Sequence, residues 1–131
     1  CWSYVGRSGS KQAVSLRKRG CLRRGSIHHE INHALGIEHE HIREDRDQYV
    51  TVMYENIKKA TYDSFKPRKS DTFGLAYDYL SVMHYGRRWF DFSIARGKPS
   101  IVPIPNADQK LGQRSGNTNL DYAKLNALYE C

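Results

Sequence analysis

The stretch HHEINHALGIEHEH, residues 28–41, holds five of the six histidines of this chain and three of its glutamates. On a helix His29 and His33, four residues apart, differ by about 40° around the axis, so both rings reach one ion. Glu30 points to the side of that pair, where it touches a water at the metal without being a ligand. Gly36, three residues past His33, lets the backbone leave the helix sharply and bring His39 back from a third direction. Three neutral imidazoles leave a coordination position for water, which marks a catalytic rather than a structural zinc site. His28 lies about 100° from His29 around the axis, and it and His41 are read as bystanders.

Working outward, residues 1–18 read as a hairpin, with WSYVGR and QAVSL about the turn SGS. The spacing of Ile27, Ile31, Ala34 and Leu35 predicts a helix from about Ser26 to Leu35, and Gly36 supplies a left-handed stop. Residues 48–105 are irregular, with short extended stretches at YVTV and SIVPI. The four prolines argue against long helices there. Thr118 and Asp121 form a capping-box-like start to a last helix, on which Tyr122, Leu125, Leu128 and Tyr129 share a face. There are no repeats and no low-complexity linker.

At 131 residues the chain is one domain long. It lacks the run of 18 apolar residues that a membrane span needs. It opens on CWSYVGR with no leader-like segment, so any secretory signal was removed or lies outside it. Its net charge is +7, densest at RKRGCLRR, residues 17–24. Such a balance attracts anionic polysaccharide, acidic peptide or nucleic acid, but no aromatic interleaving and no nucleic-acid motif accompanies it, so no nucleic-acid partner is expected. Cys1 and Cys21 bracket the hairpin and could bridge, which would place the protein in an oxidising compartment; three reduced thiols in a cytosolic protein are the alternative. Cys131 is left without a partner, which suggests a missing piece.

HEINHALGIEHEHIREDRD, residues 29–47, resembles the long zinc signature of the astacin family of metalloendopeptidases, within the metzincin group. SVMHYG, residues 81–86, resembles the Met-turn of that family. CWSYVGR resembles its edge strand over the cleft, the spacings of Cys1, Cys21 and His29 fit its disulfide loop, and GKPSIVP, LGQR and LNALYEC look like its carboxy-terminal half. Ile37 stands where the family usually has an aromatic residue. The resemblance spans residues 1–131, but only the later two thirds of a complete catalytic domain. It implies an α+β zincin/metzincin fold, with a mixed sheet edge and the zinc helix above a cleft, and below it a mostly irregular subdomain ending in a helix. Residues 1–39 would belong to the upper subdomain and 40–131 to the lower one. It further implies one catalytic Zn²⁺ held by His29, His33 and His39, Met83 packed beneath these histidines, Tyr85 near the metal, and a Cys1–Cys21 disulfide. The family buries the amino terminus of the mature enzyme near the glutamate after the third histidine. Glu40 is therefore expected to lack its customary partners here, and Cys131 to pair with a segment that is absent.

The site itself suggests a mechanism in which water attacks a peptide carbonyl, with Glu30 as general base and proton carrier to the leaving amine. By resemblance Tyr85 donates its hydroxyl to the oxyanion. An extended peptide could add to the edge at Trp2, Ser3 and Tyr4. One of Arg87, Arg88, Arg96 and Lys98 could line a pocket for an acidic side chain. Arg43, Asp45, Arg46 and Asp47 read as a structural ion-pair cluster rather than a calcium site. The function expected is a secreted zinc endopeptidase acting on protein or peptide substrates, with a faint likeness to hatching-type members. A catalytically silent extracellular binding module and a basic polyanion-binding domain with incidental metal are the alternatives.

Overall fold

The computed structural model describes residues 1–88, 94 and 97–131. Strand β1 (Trp2–Ser3) pairs antiparallel with β2 (Val14–Ser15), with Trp2 opposite Ser15 and Ser3 opposite Val14. The pairing is shorter than the expected hairpin, and the connection is far longer than a tight SGS turn. At Gly6 the backbone takes a positive φ of 75°. Its N–H then donates to the His33 carbonyl at 2.8 Å, so the chain leaves β2 and closes on the end of the helix instead. A Cys1–Cys21 disulfide, with Cα atoms 5.7 Å apart, ties β1 to the loop before that helix.

Helix α1 spans Arg24–Ala34, two residues earlier at its start than the apolar spacing predicts. Gly25 explains the early start. A Cβ there would meet the Arg114 backbone at 2.1–2.4 Å, and the Gly25 N–H donates to the Arg114 carbonyl at 3.1 Å. The helix thus begins where it can press bare backbone against the 113–116 loop. It ends as expected, because Gly36 at φ 103° accepts the left-handed turn that a side chain would resist.

Short 3₁₀ turns follow at Glu40–Ile42, Arg46–Gln48, Tyr54–Asn56 and Lys59–Phe65. The two stretches that read as extended become β3 (Val50–Val52) and β4 (Ile101–Pro103), paired antiparallel with each other. Pro103 fits because a two-stranded ladder leaves an open edge for a residue with no N–H. The main core gathers Val50, Ile57, Phe65, Tyr77, Ile101 and Leu111 beneath a layer of tyrosines. A second cluster packs Ile37, Val82 and Met83 against Leu125.

Helix α2 (Asn119–Tyr129) starts on a complete capping box: Thr118 Oγ1 accepts the Asp121 N–H at 3.0 Å and Asp121 Oδ2 accepts the Thr118 N–H at 2.9 Å. Its expected apolar face is only partly used. Leu125 packs inward, but Tyr122, Leu128 and Tyr129 stay 46%, 37% and 54% exposed, while the buried positions are Asp121 and Lys124. Polar anchoring explains the difference. Asp121 also takes the Val82 N–H and the Ser81 hydroxyl, and Lys124 pairs with Glu40.

Candidate metal centre and cleft

Helix α1 projects His29 and His33 from adjacent turns, and the turn after Gly36 returns His39 to them. The His39 Nε2 atom lies 3.2 Å from His33 Nε2 and 3.2 Å from His29 Nε2. All three nitrogens fall within 4.8 Å of one another. The Nδ1 atoms of His29 and His33 face the carbonyls of Val82 (2.8 Å) and Ile37 (2.9 Å). A carbonyl only accepts, so each Nδ1 carries the proton and each Nε2 presents a lone pair inward. A single proton on His39 could serve one neighbour at most; a cation serves all three. The separation also matches the ligand edge of a zinc tetrahedron, about 3.3 Å for Zn–N bonds near 2.05 Å. Burial lowers the pKa of all three, that of His29 to about 4. The rings are therefore neutral at pH 7, as metal ligands must be.

Glu30 is buried, and desolvation raises its pKa. It shares a cleft of about 470 Å³ with Trp2, Ser3, the three histidines, Tyr85 and Arg114. Tyr4 lies outside this lining, 61% exposed, and meets Trp2 edge-on at 5.5 Å. The Tyr85 ring stands 4.8 Å from His39 and stacks on His41 at 3.9 Å, and burial raises the pKa of its phenol. Met83 is wholly buried, and its carbonyl receives the Glu40 N–H at 3.1 Å.

Glu40 is paired within the chain itself. Its Oε1 accepts from Arg43 at 3.2 Å and from the Asp78 N–H at 2.9 Å, and its Oε2 pairs with Lys124. Arg43 also binds Asp45 and Arg46 binds Asp47, so these residues form the expected ion-pair cluster. His28 stays out of the metal cluster and accepts the Asn117 N–H at 3.0 Å. His41 is no ligand either, but it is completely buried and supports Tyr85, a role that spacing alone does not signal.

Among the described residues the basic side chain lining the cleft is Arg114. Arg87, Arg88 and Lys98 do not line it, and Arg96 lies outside the described residues. Arg114 is held by Gly25 through its backbone and by the Val82 carbonyl at 2.9 Å from Nη1. The Val82 oxygen thus receives both His29 and Arg114. LGQR was legible as a family-like segment, but its arginine reaches the cleft only because α1 packs on that loop.

The family model of astacin, a peptidase family, matches residues 1–130. The chain belongs to the astacin family. All of this astacin-family chain aligns at 49% identity with an astacin-like metalloendopeptidase of Gallus gallus, of which it covers 32%. It is 46% identical to high choriolytic enzyme 1 of Oryzias latipes, of which it covers 48%. The solved structure of that enzyme, described as a hatching enzyme zinc-protease, superposes with a TM-score of 0.94 over the whole chain and 64% of its own. The chain thus spans a third to a half of the length of these relatives, and the α+β metzincin fold expected from its motifs is the one it has.

Proposed function

We propose that this chain carries the zinc site and substrate cleft of a secreted metalloendopeptidase that hydrolyses peptide bonds in proteins. The observation that carries the reading is the convergence of three imidazole Nε2 atoms beside a buried carboxyl, in one cleft with Tyr85. His29, His33 and His39 would hold one Zn²⁺. When bound, zinc supplies Lewis acidity, which brings the pKa of water at the site to about 7 and polarises a carbonyl. Glu30 takes the proton of the attacking water and passes it to the leaving amine, a task helped by a carboxyl pKa raised by burial. Tyr85, kept protonated by burial, donates its hydroxyl to the developing oxyanion. Residues 1–39 supply one wall of the cleft, where a peptide adds to the β1 edge at Trp2 and Ser3 with Tyr4 flanking them, and residues 40–131 supply the floor with Met83. Arg114 is the cleft group suited to an acidic side chain of the substrate. The Cys1–Cys21 bridge fits an extracellular setting.

The test is cleavage of a mixed peptide library by this chain, with and without a zinc chelator, beside Glu30→Gln. Chelator-sensitive cuts that Glu30→Gln abolishes are expected, enriched for acidic residues at the cut. A chain that binds one zinc and cuts nothing would sink the proposal in favour of a binding module.

A further inference from the structure

The net charge of this molecule comes from one end of its sequence. Residues 1–29 hold seven Lys and Arg and no Asp or Glu, whereas residues 30–131 hold fourteen of each sign. Five of the seven fall in Arg17–Arg24, and all five are exposed. This segment is a built turn rather than a loose tail. The Cys21 N–H closes on the Arg17 carbonyl at 3.2 Å, the Arg17 guanidinium donates to the Arg19 carbonyl at 3.1 Å, and buried Cys21 is fastened to Cys1. Among the described residues none of the five makes an ion pair, while Arg43, Arg46, Lys66, Arg68 and Lys124 all do. Helix α1 begins inside the cluster with no acidic residue in its first turn and no side-chain cap, so its positive end adds to the field instead of being neutralised.

We propose that Arg17, Lys18, Arg19, Arg23 and Arg24 form a docking surface for a sulfated polysaccharide, separate from the cleft. Four of the five are arginines, whose planar fork matches two oxygens of a tetrahedral anion. Residues 5–25 contain no aromatic side chain, and the exposed Trp2 and Tyr4 that follow Cys1 pack edge-on against each other, so the turn itself offers no platform for stacking bases. Within residues 5–25 the exposed large apolar side chains are Val5, Val14 and Leu22, too few to enter a membrane. The disulfide that holds the turn forms in oxidising compartments, where sulfated glycans are the linear polyanions at hand. Because Cys1 joins this turn to the strand carrying Trp2 and Ser3, a docked polysaccharide would hold the cleft wall at the surface of a glycan-rich matrix.

The experiment measures binding of the full chain to immobilised heparin over a range of NaCl concentrations. The logarithm of affinity should fall linearly with that of salt, with a slope of about −4 for five contacts. The quadruple variant Arg17→Ser, Lys18→Ser, Arg19→Ser, Arg23→Ser should lose at least about tenfold in affinity near physiological salt and most of that slope. Neutralising Lys58, Lys59, Lys69 and Lys110 together removes equal charge and should change little. In the unsubstituted chain, heparin should shield Lys18 from acetylation and leave Lys110 reactive, a readout independent of how the variants fold. Equal losses in both variants, or an unshielded Lys18, would overturn the proposal. So would tighter binding to single-stranded DNA or to anionic phospholipid vesicles than to heparin.

Discussion

Glu30 and Tyr85 face the same cleft, and burial raises the pKa of both. In the proposed mechanism this would make Glu30 a stronger base and keep Tyr85 a hydrogen-bond donor. Beneath Tyr85 the completely buried His41 ring donates through Nε2 to the Ser64 carbonyl at 3.0 Å and gives its face to the phenol. His41→Ala would remove that support, and steady-state kinetics should show kcat reduced by roughly ten- to a hundredfold with zinc content and KM nearly unchanged. His41→Phe, which keeps a flat ring, should recover most of the loss. Arg114→Gln should penalise peptides with an acidic side chain by about 1–3 kcal/mol relative to neutral ones, read as the ratio of kcat/KM values. The convergence of His29, His33 and His39 was legible because helical spacing and one glycine determine where they point. Arg114 was not, since its place depends on a loop ninety residues away in sequence meeting the start of α1.

At the scale of elements, two contacts hold the site together. Gly25 lets α1 touch the backbone of Arg114, so Gly25→Ala must push helix and loop apart. Overpacking of this kind costs about 1–3 kcal/mol, to be seen as a lower denaturation midpoint together with weakened selection for acidic peptides. Asp121 caps α2 and also holds the turn before Met83. Asp121→Ala, which strips a cap and two buried hydrogen bonds, should destabilise by about 2–4 kcal/mol in urea titration. The capping box was evident from Thr118 and Asp121 alone. The second role of Asp121 was hidden, as was the inward face of α2, because a buried Lys124–Glu40 pair overrides the apolar pattern by which helix faces are read. Strands of two and three residues are likewise too short for alternation to reveal their partners; β3 and β4 are about fifty residues apart in sequence.

For the molecule as a whole, buried histidines with lowered pKa values make the fold sensitive to acid. His84 accepts the Tyr77 hydroxyl at Nε2 (2.7 Å) and donates from Nδ1 to the Tyr85 carbonyl (2.6 Å). Burial, with Lys124 and Arg114 nearby, lowers its pKa to about 4. The unfolded chain, with a histidine pKa near 6.5, takes up this proton first as pH falls. The contribution of His84 is therefore complete above about pH 6.5 and is lost on descending toward pH 4. Denaturation midpoints between pH 7.5 and 4.5 should trace that loss, and His84→Gln should flatten the curve. The single carbonyl oxygen of Val82 carries a different consequence. It orients an imidazole of the metal site and also anchors the guanidinium at the cleft wall. A peptide carboxylate that draws Arg114 toward itself leaves this oxygen to His29 alone, strengthening the hydrogen bond that makes the ring a better electron donor. Since linkage runs both ways, a bound acidic peptide should raise the affinity for zinc, and zinc should raise the affinity for that peptide by the same factor, through one shared atom of backbone.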